Sequence, residues 1–142
     1  MQGSAANTLS GSGDFNLNNL TIDNANGASL QTNLNINGAL ALVSGEVETN
    51  GNLITLNATA TATSAAVNAY VNGQIRKNNI AAGAEFVFPI GNNGHRGMIG
   101  VNPVSVGSFT VGYSFNDDPD GEEIENKAES FRGCFSTHSN NT

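Results

Sequence analysis

Five Asn-Gly pairs, at residues 26–27, 37–38, 50–51, 72–73 and 93–94, cut the chain into short runs that alternate apolar and polar residues. Asn-Gly takes positive φ readily, so each pair marks a tight change of direction. Before the first pair lies FNLNNLTI (15–22), and between the pairs lie LNI (34–36), ALAL (39–42), EVET (46–49) and LITLNATATAT (53–63). Alternation with period two sends one set of side chains to each face of a strand. Leu20 with Ile22, Leu34 with Ile36, Leu40 with Leu42, and Ile54 with Leu56 therefore share faces and form the expected core. The chain carries 23 asparagines and 17 glycines, both turn formers and poor helix formers. Many short strands joined by many tight turns follow from that composition.

Two arrangements compete. In a hairpin meander each break reverses the chain; in a β-solenoid each break turns a corner and the chain returns one coil higher. Ile22, Ile36 and Leu56 follow one another at 14 and then 20 residues, irregular but near the size of a solenoid coil. A meander shows steadier run lengths and turn spacing. The expected fold is all-β: a short parallel β-solenoid, or β-helix-like stack, of about two or three coils, followed by an antiparallel sandwich-like cap. Residues 1–13 read as a flexible N-terminal segment, 14–77 as the solenoid, 78–116 as the cap and 117–142 as an acidic, polar tail or linker. In the cap, strand 84–90, loop 91–97 and strand 98–101 form a hairpin. GSFTVGYSF (107–115) then places Phe109, Val111, Tyr113 and Phe115 on one face. Such a cap seals a sheet edge that otherwise invites pairing with other chains.

The order of these segments resembles something known. An LxI…NGxLxLxSGxVxTxGNxITL segment, then AYVNGQIRK, FVFPIG and a GSFTVGY strand look like modular segments of large secreted or cell-surface proteins of Bacteroidetes-type bacteria. Those proteins often carry a type IX secretion sorting domain further on, and their LxLxxG segments are similar to β-helix-like adhesin repeats. The resemblance covers residues 34–115 and implies an exported surface or matrix protein. It brings no catalytic residues with it, and no sorting domain is recognisable in the 142 residues.

Charge narrows the partners. The net charge is −7, with 5 Lys+Arg against 12 Asp+Glu. Nucleic acid binding needs cations that displace phosphate counterions, and an anionic membrane surface needs the same. No apolar run approaches the roughly 20 residues that span a bilayer. The N-terminus MQGSAANTLSGSGDF has neither the charged nor the apolar region of a signal peptide. A single cysteine, Cys134, excludes an intrachain disulfide framework.

Few residues offer chemistry. Asp117, Asp118, Asp120, Glu122 and Glu123 gather carboxylates around a Pro-Gly turn. Ca²⁺ takes such oxygen ligands, though the spacing does not match a calcium-loop motif. A solvated acidic linker is the preferred reading, and beyond that Ca²⁺ the sequence asks for no cofactor. His95 and Arg96 on the expected hairpin loop suit an anionic sugar or a carboxylate; the plainer reading is an exposed turn. Arg76-Lys77 reads as a solvated strand end. Thr59, Thr61 and Thr63 alternate with Ala58, Ala60 and Ala62. A threonine face of that kind matches ice when it repeats over several coils, which the other runs do not offer. GxSxG, HExxH, Walker loops and paired cysteine ligands are missing. Glu46, Glu48 and Glu85 read as isolated, solvent-facing strand residues.

The reading that follows is a noncatalytic structural or adhesive module of an exported bacterial surface protein, touching other surface modules or glycans. Its rival is a glycan- or ice-binding β module. A weaker rival is a fragment of a polysaccharide-degrading β-helix enzyme working through Glu46 or Glu48. Nothing in the sequence fixes an oligomeric state.

Overall fold

A computed structural model describes residues 3–114. Ten strands and no helix occur among them: β1 (Asn7–Leu9), β2 (Phe15–Asp23), β3 (Ala28–Leu30), β4 (Leu34–Ser44), β5 (Val47–Leu56), β6 (Thr61–Ser64), β7 (Val71–Ile80), β8 (Phe86–Asn92), β9 (His95–Val101) and β10 (Gly107–Gly112). The first seven pair in parallel and wind into a β-solenoid of about four turns, more than the sequence predicts. Asparagine pairs that meet across neighbouring coils are 19, 20 or 21 residues apart.

Three stacks of strands make the walls. One holds β1, β3 and the starts of β5 and β7. A second holds the first halves of β2 and β4 and the ends of β5 and β7. The third holds the second halves of β2 and β4, and β6. Inside, side chains stack in columns. Phe15, Leu34, Ile54 and Ile75 form one; Leu20, Leu40 and Ala62 form another. Leu34, Ile36, Leu40, Leu42, Ile54, Leu56 and Ile75 are all at most 1% exposed. Each fully buried Leu or Ile contributes about 1.5–3 kcal/mol.

The Asn-Gly pairs stand where the chain changes direction, but three of them lie inside continuous strands. At Asn37-Gly38, β4 gains one residue on β2, since Leu17 faces Ile36 and Asn19 already faces Ala39. A Cβ on Gly38 would stand 2.4 Å from Asn19 Oδ1. Asn50 and Gly51 both take positive φ, 51° and 82°, and bend β5. This is why spacing alone mispaired the coils. Ile22 stacks on Leu42 rather than preceding Ile36, whose true neighbours are Leu17 and Leu56.

Asparagine also stitches coil to coil. Asn57 Nδ2 donates to Asn37 Oδ1, and Asn78 Nδ2 to Asn57 Oδ1 at 3.2 Å. Asn35 Nδ2 donates to Asn16 Oδ1 at 3.1 Å, and Leu53 N to Asn33 Oδ1 at 3.0 Å. Stacked amides of this kind form ladders along a β stack. Much of the side-chain amide expected to face partners is therefore spent within the wall.

Two boundaries differ from expectation. Residues 7–9, read as flexible, form β1 and pair in parallel with β3, so the first coil starts there. Lys77, read as a solvated strand end, follows Leu17, Ile36 and Leu56 in an interior column and is 4% exposed. Its ammonium donates to the carbonyls of Asn57 (2.7 Å), Ala58 (2.6 Å) and Asn78 (3.3 Å) and lies 5.4 Å from the Phe86 ring centre. Burial lowers its pKa. A buried ammonium needs such partners, and two of them are carbonyls of the turn that follows Leu56, one coil before.

The cap is antiparallel. β10 pairs with β7, setting Phe109 against Lys77 and Val111 against Ile75. β8 and β9 form a hairpin, joined to β7 in parallel at Val71 and Ile90. Phe86 and Phe88 meet edge to face, 5.0 Å between ring centres. The expected loop 91–97 is only the two-residue turn Asn93-Gly94, with φ of 52° and 79°. Positive φ at both central residues matches the twist of the flanking strands, so the hairpin closes tightly.

Candidate functional site

Glu46 and Glu48 flank Val47 at the start of β5. Val47 points inward and is 2% exposed, so alternation turns both carboxylates outward. One coil on, Tyr70 and Asn72 flank Val71 in the same way, and the parallel register sets Glu48 beside Asn72. Tyr70 Oη donates to Glu46 Oε2 at 2.7 Å and accepts from Gly94 N at 3.0 Å. Asn72 Nδ2 donates to Glu46 Oε1 at 2.7 Å and to Glu48 Oε1 at 2.8 Å. Asn92 Nδ2 holds Asn72 Oδ1 at 2.9 Å. A hairpin turn, a tyrosine and two amides thus fix two carboxylates in place. Beside them lies a concavity of about 330 Å³, lined by small residues including Ala6, Ala25, Gly27 and Ser29.

The two carboxylates titrate against each other. Burial raises the Glu46 pKa, but hydrogen bonds from Glu48, Tyr70 and Asn72 outweigh it and leave it lowered. Burial raises Glu48, and its bond to Glu46 and the negative charge there raise it further. Burial, then the Glu46 bond, raises Tyr70. A carboxyl whose folded pKa lies above its unfolded value stabilises the fold below the unfolded value and loses that contribution as pH rises through the folded one. Glu48 therefore opposes folding at neutral pH. Glu48→Gln is expected to raise the melting temperature at pH 7, and the gain should vanish by about pH 4, below the unfolded carboxyl pKa. Thermal melts at the two pH values check this; an equal shift at both would exclude a titration effect.

The residues singled out in the sequence do not converge here. Thr59 sits in the turn before β6, its hydroxyl donating to Asn37 O at 3.2 Å. Thr61 and Thr63 are exposed on β6, but the coil beneath offers Ala39 and Ala41 at those positions. A threonine lattice does not repeat from coil to coil. His95 pairs with Asn92 at the start of β9 instead of sitting on a loop tip. Arg96 Nη1 donates to Ser64 Oγ at 3.1 Å and Ala66 O at 2.9 Å, bracing the cap against the end of β6. Asp117, Asp118, Asp120, Glu122 and Glu123 lie outside the described residues. Among the described residues, no three His, Cys, Asp or Glu side chains group as metal ligands, and no helix is long and apolar enough to cross a membrane.

Sequence reasoning treated Glu46 and Glu48 as isolated and passed over Tyr70 and Asn72. The signal was present: ExE recurs as YxN 24 residues later, both flanking a buried valine. Reading it required knowing that the coils stack in parallel. No family model, no curated protein and no solved structure matches this chain.

Proposed function

We propose that the chain is a noncatalytic structural or adhesive module of an exported bacterial surface protein, a short stiff stack that meets other surface modules or glycans. The observation that carries this is the double coupling of each coil to the next. Interior columns run unbroken from the second coil into the fourth, and amide ladders join the same coils on the outside. Stiffness follows because bending must separate both at once. The sequence resemblance to surface-protein modules agrees with this.

A glycan-binding reading is favoured by one place on the stack. The fixed Glu46 and Glu48 carboxylates beside the 330 Å³ concavity offer acceptors for sugar hydroxyls. Incubation with bacterial exopolysaccharides separates the readings. The module is expected to leave polysaccharide chain length unchanged. Retention on the polysaccharide that Glu46→Gln abolishes would place the contact at this trough. Depolymerisation lost in the same variant would replace the scaffold with an enzyme.

A further inference from the structure

The five Asn-Gly pairs are alike in sequence but not in what holds them. Asparagine is a thermolabile residue, most of all before glycine, which has no side chain to shield its backbone nitrogen. That nitrogen gives up its proton and attacks the asparagine Cγ. An N–Cγ bond forms, the Cγ–Nδ2 bond breaks, and the amide nitrogen takes up a proton and leaves as ammonia. Water then opens the cyclic imide at either carbonyl, giving aspartate or isoaspartate. One water is consumed and one ammonia released, with nothing oxidised or reduced. Two things slow the attack: hydrogen bonds that hold the side-chain amide, and a backbone that cannot bend to bring Cγ to the nitrogen.

Three pairs are held at the side chain. Asn50 Nδ2 donates to Ser29 Oγ at 2.8 Å and to Leu30 O at 3.0 Å. Asn72 Nδ2 donates to Glu46 and Glu48, and its Oδ1 accepts from Asn92. Asn37 Oδ1 accepts from Asn57 Nδ2 and lies inside β4, which is paired to a coil on either side. The fourth pair is held at the backbone. Asn26 is exposed, but Gly27 is buried and its N donates to Asn24 O at 2.8 Å. A Cβ on Gly27 would stand 2.5 Å from Glu46 O, and Asn24 is 2% exposed, so this turn has no room to bend. Asn93-Gly94 differs. Both residues are exposed at the tip of the β8–β9 hairpin, and nothing lies within 4 Å of a Cβ on Gly94. No side-chain hydrogen bond holds the Asn93 amide among the described residues. The restraint on the attacking nitrogen is a side chain: Gly94 N donates to Tyr70 Oη at 3.0 Å.

We propose that Asn93 is the site of spontaneous deamidation in this chain, and that the Tyr70 hydroxyl slows it by holding the Gly94 nitrogen. The conversion bears on Glu46. A neutral amide becomes a carboxylate, so the net charge moves from −7 to −8. Isoaspartate also adds a backbone carbon to a tight turn, which draws Gly94 N away from Tyr70. Tyr70 then keeps its bond to Glu46 but loses its tie to the hairpin.

Peptide mapping by mass spectrometry tests this on the full 142-residue chain, kept folded in mildly alkaline buffer. Asn93 should convert at least about tenfold faster than any of the other four pairs, the difference that one or two hydrogen bonds make to a rate. In concentrated guanidinium, where the fold no longer separates the pairs, the five rates should draw together. Tyr70→Phe should speed conversion at Asn93 several-fold and leave Asn50 unchanged. The ranking of the five pairs needs no variant, so it stands whether or not Tyr70→Phe folds. Another pair converting ahead of Asn93 in the folded chain would overturn the proposal, as would an Asn93 that stays intact while the denatured chain converts. A ranking that persists in guanidinium would place the cause in the flanking sequence and overturn it too. A Tyr70→Phe chain, folded by circular dichroism, that converts Asn93 at the parent rate would overturn the part assigned to Tyr70.

Discussion

Gly45→Ala is expected to lower stability by about 2–5 kcal/mol, the sum of a left-handed backbone cost of about 1–2 and an overpacking cost of about 1–3. Gly45 has φ of +87° and closes the turn between β4 and β5. A Cβ there would stand 1.8 Å from Asn24 O. Asn24 cannot retreat. It is 2% exposed, its amide donates to Ala5 O and Gly27 O, and its Oδ1 accepts from Asn26 N. Gly51 provides the control, with φ of +82° and nothing within 4 Å of its Cβ. Gly51→Ala should therefore show only the backbone cost. Denaturant midpoints of the two variants measure the difference, and equal losses would mean that the close packing of this corner contributes nothing.

The second large effect belongs to the column interior. Ile54 is fully buried between Leu34 and Ile75, so its loss opens a cavity facing two coils at once. Ile54→Ala should destabilise by about 2–5 kcal/mol. Leu20→Ala, in the half-buried first coil, should cost clearly less. In a stack where each repeat touches only its neighbours, a defect in the middle weakens two interfaces, and one at the end weakens a single interface. Urea titrations followed by circular dichroism would show the order, and a larger loss at Leu20 would contradict the column description.

The parts of this fold that could be read from sequence were those with local causes. The apolar partners of the alternating runs are core residues, and the Asn-Gly pairs do mark changes of direction. What stayed hidden depended on stacking. β1 has three residues, too few to display alternation. Ile22 and Ile36 looked like successive coil positions, although they stand in different walls. Lys77 carries a charge, and the carbonyls of Asn57, Ala58 and Asn78 that receive its ammonium explain why it can point inward. The Glu46–Tyr70 contact spans a whole coil, so neither residue has a local motif. Arg96 looked like a binding residue because it neighbours a histidine near a turn, yet its partners, Ser64 and Ala66, are 32 and 30 residues away.

The coil-to-coil contacts carry an implication for how such a chain tolerates change. Asparagine partners recur after 19, 20 or 21 residues, but Tyr70 meets Glu46 after 24. Part of the extra length lies in the segment between β6 and β7, where Ala65 N still reaches Leu42 O at 2.9 Å and Val67 is 76% exposed. The architecture keeps count of coils rather than of residues. A foreign peptide grafted beside Val67 would loop outward and leave every column aligned, whereas the same insertion at Asn37-Gly38 would put each later side chain out of step.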